Sequence, residues 1–216
     1  MGAEESKQQL RRVEGWFGLN QHITDACRRN DIERIKALLD EGCPIDECDE
    51  DGNSPMHVAC GEGNIDVVRF LLSKGANHSE RGRMGFTPLF RAVQADHVNV
   101  VNLLIRSGAR VNIQNNYGVT PLHWCCVWGS LGSMAILLEQ NAKIDVQQSN
   151  GQTPLHCAAI HGNTECVEML LKKNCDISIK DGEGHTALEV ASTSQVVSVL
   201  AQYDDLKQQE MKIIYQ

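Results

Sequence analysis

The sequence predicts an all-α fold, a linear stack of helix-turn-helix units joined by tight turns. Three observations carry that prediction. Glycine recurs at a fixed step of 33 residues, at Gly52, Gly85, Gly118, Gly151 and Gly184. Each of these glycines is the second residue of a segment of shared form: DGNSPMHVAC, MGFTPLFRAV, YGVTPLHWCC, NGQTPLHCAA and EGHTALEVAS. Between the segments, apolar residues return at the spacing of one helix face. Self-similarity at such a period marks an array in which each unit buries its apolar side against the next.

Composition agrees. The chain has 216 residues, 42% apolar and 22% charged, enough for one large domain or one continuous array and too apolar for a disordered chain. Aromatic residues make up 5%, so the core is built from Leu, Val, Ile and Ala. The formal net charge is −8 and the basic clusters are short (Arg11-Arg12, Arg28-Arg29, Arg81-Gly82-Arg83), which excludes nucleic acid as the expected partner. Nine cysteines without a CxxC pair, and no signal peptide ahead of them, predict a reducing compartment. The expected location is cytoplasmic, with nuclear or membrane-peripheral placement as variants. No run approaches 18 consecutive apolar residues, so no transmembrane helix is expected.

Each unit reads in the same order. The repeat glycine suits a turn that needs positive φ. Ser54, Thr87, Thr120 and Thr153 stand where a helix N-cap is needed, and Pro55, Pro88, Pro121 and Pro154 follow at the first helical position, where a missing N–H costs nothing. Small pairs come next (Ala59-Cys60, Ala92-Val93, Cys125-Cys126, Ala158-Ala159) and let neighbouring helices approach closely. Gly63, Gly129 and Gly162 fall between the two helices, with Asp96 in the same place in the third unit. The second helices read NIDVVRFLLSKG, HVNVVNLLIRSG, SLGSMAILLEQN and NTECVEMLLKKN, and each closes on Gly75, Gly108, Asn141 or Asn174, residues that accept a left-handed C-terminal cap. Gly132, inside one of them, costs about 1 kcal/mol relative to alanine and marks the fourth unit as the soft one.

The ends are irregular. HITDACRRNDIERIKALLDEG from His22 matches two helices without Thr-Pro-Leu-His, and Thr186-Ala187-Leu188 lacks both the proline and the histidine. Such residues suit caps for a stack with two open faces. The expected division is an N-terminal extension over 1–19 and an array over 20–203. Its units lie at about 20–50, 51–83, 84–116, 117–149, 150–182 and 183–203, followed by a tail or capping helix over 204–216.

These residues resemble the ankyrin repeat, a β-turn followed by two antiparallel helices, over roughly residues 20–203. The resemblance implies a solenoid whose concave face is formed by the turn tips and first helices, with partners bound around the repeat glycine and just after the small pair. It also implies that His57, His123 and His156 hydrogen-bond between units, a structural role. The implied contact residues include Glu50, Asp51 and Glu62 in the second unit, Arg83, Met84 and Phe86 in the third, Tyr117, Val119 and Trp128 in the fourth, and Ile160 and His161 in the fifth. Asn112 occupies a closing-loop place where such proteins can carry a hydroxylated asparagine, although Arg110 replaces the usual nearby acid.

Tyr117 and Trp128 therefore fall at contact positions. Trp124 lies four residues before Trp128 on the same helix face, in a slot occupied elsewhere by Val58, Arg91 and Cys157. Phe86 and Met84 come from the adjacent tip. Beside them run the acids Asp46, Glu47, Asp49, Glu50, Asp51 and Glu62, with Arg81, Arg83 and Arg91 between the two zones. The pattern predicts a protein partner, peptide or domain, that brings apolar groups to the fourth unit and basic groups to the second. The competing reading is that the tryptophans fill space between helices.

Other signals carry less. Cys43, Cys48, His57 and Cys60 have zinc-ligand chemistry, but the spacing does not match a zinc ribbon and two of them hold repeat slots, so no metal is expected. The neighbours His156-Cys157 lack any legible oxyanion site, and no strand precedes GEGNID at Gly61, so neither a thiol nucleophile nor a dinucleotide loop is expected. Neither catalytic residues nor a cofactor are predicted. Gly2 and Ser6 of the opening Met-Gly-Ala-Glu-Glu-Ser-Lys fit the N-myristoylation pattern, a single chain that gives marginal membrane attachment. The leading expectation is a non-enzymatic adaptor or scaffold. The alternatives are the recognition or regulatory domain of a larger enzyme, such as a ubiquitin ligase or kinase, and a free-standing enzyme inhibitor.

Overall fold

The computed structural model describes residues 23–214, with side chains through 209. The expected extension over 1–19, with Gly2, lies outside them. Among the described residues there are eleven α-helices and no strand. They belong to two compact units, one up to Ala109 and one from Arg110.

The first unit holds α1 (23–28), α2 (Ile32–Asp40), α3 (Pro55–Gly61), α4 (Ile65–Ser73), α5 (Pro88–Gln94) and α6 (Val98–Arg106). The second holds α7 (Pro121–Trp128), α8 (Leu131–Glu139), α9 (Pro154–His161), α10 (Thr164–Lys172) and α11 (Ser194–Ile214). Within each, a short first helix packs on its own second helix and on the first helix of the next repeat, α3 on α5 and α7 on α9. The cores are aliphatic: Ile35, Leu38, Met56, Val68, Leu71 and Leu89 are buried in the first unit, and Leu122, Met134, Leu137, Leu155 and Leu170 in the second.

The Thr-Pro-Leu-His segment forms a self-closing helix start. Thr120 accepts a hydrogen bond at Oγ1 from the His123 N–H (3.4 Å), and Nδ1 of His123 accepts from the Thr120 N–H (3.2 Å). Ser54 with His57 and Thr153 with His156 build the same reciprocal box. With Nδ1 accepting, the ring proton sits on Nε2, which donates one repeat onward: His57 to the Phe86 carbonyl (3.0 Å), His123 to Gln152 (3.2 Å) and His156 to His185 (3.0 Å). These are the bonds between repeats that the histidines were expected to make. Thr87 differs from the expectation. It holds the N-cap place but its hydroxyl makes no capping bond: the Phe90 N–H donates to the Thr87 carbonyl instead (2.9 Å), and Phe90 has no ring nitrogen to accept the return bond.

The chain reverses where expected. Gly63, Asp96, Gly129 and Gly162 have φ between +52° and +73°, and Gly75, Gly108, Asn141 and Asn174 close the second helices at positive φ. The second helices α4, α6, α8 and α10 begin without a side-chain cap, whereas Asp31 caps α2. The residues ahead of them reach back instead, Nδ2 of Asn64 to the Cys27 carbonyl (2.6 Å) and Nδ2 of Asn163 to that of Cys126 (2.7 Å). Carbonyls that a helix end leaves without partners are thereby satisfied from the next repeat.

The sixth repeat departs from the pattern. Residues 187–190 form turns rather than a first helix, and α11 then runs unbroken for 21 residues, through residue 204 where the periodic pattern of the sequence stops. Val196 and Leu200 of α11 are buried and pack toward α10.

Candidate functional site

Three of the five turn tips, those at Gly52, Gly118 and Gly184, are each held by one side chain. Oδ1 of Asp49 accepts from the N–H groups of Asp51 (3.1 Å) and Asn53 (2.8 Å). Asn115 does the same for Tyr117 (2.9 Å) and Val119 (3.0 Å), and Asp181 for Glu183 and His185, each at 3.0 Å. This anchoring residue, three before the repeat glycine, turns the residue next to that glycine outward. In the closing loops a second series acts between repeats: Asp46 accepts from the Asn77 N–H (2.8 Å), Asn112 from Lys143 (2.8 Å) and Asp145 from Asp176 (3.1 Å). Asn112 thus ties its own repeat to the next. Both series share the 33-residue phase of the glycines and were there to be found by extending the alignment upstream.

In the first unit the tips and first-helix ends carry charge. Glu50 and Asp51 are exposed on one tip, and Glu62 is exposed at the end of α3. The next tip presents Arg83 and Met84, both exposed, with Phe86 half-buried edge-on to Phe90 at 5.1 Å. The two tips touch, since a Cβ on Gly52 would lie 3.0 Å from the Arg83 nitrogen. Arg91 is half-buried and donates from Nη2 to Asn53 Oδ1 at 2.8 Å, so its guanidinium also braces the preceding tip. Met84 has φ of +59°, a left-handed conformation that disfavours a side chain, and is 45% exposed. The fold holds a large thioether outward there at a cost.

In the second unit the corresponding places carry rings and amides. Tyr117 on its tip and Trp128 at the end of α7 are each 52% exposed. Trp124, one turn earlier, is half-buried with Nε1 shielded from solvent, and its ring meets Trp128 at 6.1 Å with the planes 63° apart. The Trp124 slot is buried where Val58 and Cys157 fill it and half-buried where Arg91 does, so it follows the side chain it holds. His161 is exposed, Ile160 half-buried, and His161 Nδ1 donates to the Cys157 carbonyl at 2.9 Å. Val119, expected among the contact residues, is buried, because its N–H and carbonyl are both bonded to Asn115 inside the tip.

The remaining chemistry is silent. Burial pushes the thiols of Cys27, Cys157 and Cys175 up to about 12, and raises that of Cys60 further still, so none is a thiolate at neutral pH. His123 is held at about 4 by desolvation, against the bond to the Gln152 carbonyl, and is a neutral donor rather than a base. No group of three or more His, Cys, Asp or Glu side chains among the described residues is placed to hold a metal ion, the Cys43, Cys48, His57, Cys60 run included. No helix among them is long and apolar enough to cross a membrane.

A family model described as "Ankyrin repeats (3 copies)" matches residues 23–115, 85–148 and 137–210. The chain belongs to the ankyrin-repeat family. Ankyrin repeats are general protein–protein interaction modules, and this one keeps their box, interlocking tips and helix pairs. No curated protein matches the sequence significantly.

Proposed function

We propose that this ankyrin-repeat protein is a non-enzymatic adaptor or scaffold that captures a protein segment on its tips and first helices. One observation supports the reading above others: Trp128 and Tyr117 are half in solvent at repeat positions where the fold needs no large side chain. Aromatic residues of this kind are the anchors that dominate binding energy at interfaces. Glu50, Asp51 and Glu62 form a second contact zone in the first unit, suited to basic groups of the partner, and Arg83, Met84, Phe86 and Arg91 adjoin it. Ile160 and His161 extend the aromatic zone within the second unit.

The test is capture of the native partner by the full chain against a Trp124→Ala/Trp128→Ala variant, with far-UV circular dichroism to establish unchanged folding. The partner is lost from the folded variant. Equal recovery by both proteins removes the aromatic zone from the function.

A further inference from the structure

The face of the second unit has a property that its exposed rings alone do not reveal. Residues 111–138 contain no Asp, Glu, Lys or Arg, and neither do residues 146–161. Those two stretches supply the first two of the unit's three tips and both first helices, α7 and α9. The unit is not short of charge: from Arg110 onward it has eleven acidic and seven basic residues. They lie in the closing loops, on the second helices and beyond α9, where the last tip exposes Glu183, so the face over the Tyr117 and Asn150 repeats is cleared of charge while the rest of the unit keeps it. Polar character on the face comes from amides. Gln152 accepts from Gln148 Nε2 at 3.0 Å through Oε1, and Asn150 accepts from the Gln152 N–H at 3.1 Å through Oδ1. Both acceptors are thus engaged within the tip, and among the described residues the donor ends of the same two amides meet no acceptor. The face therefore offers aromatic planes and free N–H donors.

We infer that the second unit binds an uncharged, proline-rich segment in the polyproline II conformation, with its rings against Trp128 and Tyr117 and its carbonyls toward Gln152 and Asn150. The inference rests on the function proposed above and names the partner's chemistry. A polyproline II chain makes no internal hydrogen bonds, so its carbonyls are open to donors along its length. A helical partner has satisfied its own carbonyls and offers the amides nothing. A strand needs a sheet edge, and there is none among the described residues. Trp124 meets Trp128 edge-to-face at 6.1 Å and backs it, so the half-exposed Trp128 ring is held as a surface on which a stiff pyrrolidine ring stacks. Proline-rich chains are recognised on aromatic surfaces because little entropy remains to be lost.

The experiment pans a random phage-displayed dodecapeptide library on the full chain, then measures the best synthetic peptide by fluorescence anisotropy. The expected peptides are proline-repeating and free of charge at the proline register. Their affinity changes less than about twofold between roughly 50 and 500 mM salt, since no charge pair is screened. It falls about tenfold or more in Trp128→Ala and falls in Gln152→Leu, while Arg69→Ala, at an exposed position of α4 in the first unit, has no effect. Enrichment of charged or amphipathic-helical peptides, or of none, overturns the inference. If in that case Trp124→Ala/Trp128→Ala still loses the native partner, the proposed function stands and only the partner's chemistry was misjudged.

Discussion

At the scale of the residue, His123 joins fold and pH. Its ring is buried, neutral and donating from Nε2, and desolvation sets its folded pKa at about 4 against an ordinary 6.5. Above pH 6.5 both folded and unfolded chains hold it neutral, and its full contribution to stability is present. As the pH falls from 6.5 toward 4, the unfolded chain takes up a proton that the folded chain refuses. Stability then drops by about 1.4 kcal/mol per pH unit, roughly 3 kcal/mol across the window. His57, lowered by the same burial, adds in the same direction. Urea denaturation from neutral pH to about pH 4.5 should give a pH slope smaller by one proton in His123→Gln, whatever stability that variant loses overall. An unchanged slope would mean that the ring is already charged in the fold. The histidines were legible in the sequence because a polar residue repeated in a core slot needs a partner. The bond from Arg91 to Asn53 was not, because it joins residues 38 apart that no motif pairs, and neither was the left-handed Met84, since methionine gives no signal for that conformation.

At the scale of the element, the tips divide the glycines by the reason each is needed. Gly184 has φ of +87° and open space around a built Cβ, so alanine there meets only backbone strain, about 1 kcal/mol. Gly151 has φ of +80°, and its Cβ would lie 2.5 Å from the Gly182 nitrogen, so alanine also pushes two tips apart. Thermal unfolding should show Gly151→Ala lowering Tm clearly more than Gly184→Ala. Equal losses would show that the tips do not need their close approach. Gly132 tests the second helices: Gly132→Ala in α8 should slow amide exchange across that helix and add up to about 1 kcal/mol. Helix pairs, turns and caps were readable because each has its own residue chemistry. The end of the array was readable only in part. Loss of proline and histidine at Thr186-Ala187-Leu188 announced an irregular repeat, but not that turns would replace its first helix. The unbroken run of α11 had a signal that periodicity does not weigh, the absence of any Gly or Pro after Gly184.

At the scale of the whole molecule, charge is divided by placement rather than by amount. Each compact unit carries a formal net charge of −4, half of the total of −8. The first unit shows its acids on the face, at Glu50, Asp51 and Glu62, whereas the second keeps the face of its Tyr117 and Asn150 repeats neutral and aromatic and exposes an acid at the last tip, at Glu183. The repeat period was legible from five glycines, but this contrast emerges only when each residue is assigned to a tip, a first helix or a second helix. It predicts a kinetic separation for a native partner that engages both zones. Exposed acids steer a basic segment and act on association, while desolvated rings act on dissociation. Surface-plasmon measurements should therefore show an on-rate that falls with added salt. The triple variant Glu50→Gln/Asp51→Asn/Glu62→Gln should flatten that dependence while leaving the off-rate within about twofold. Trp128→Ala should do the reverse, raising the off-rate about tenfold or more with the salt slope of association intact. If both variants changed the same rate constant, the two zones would be one energetic surface, and steering by the acidic tip would have no part in binding.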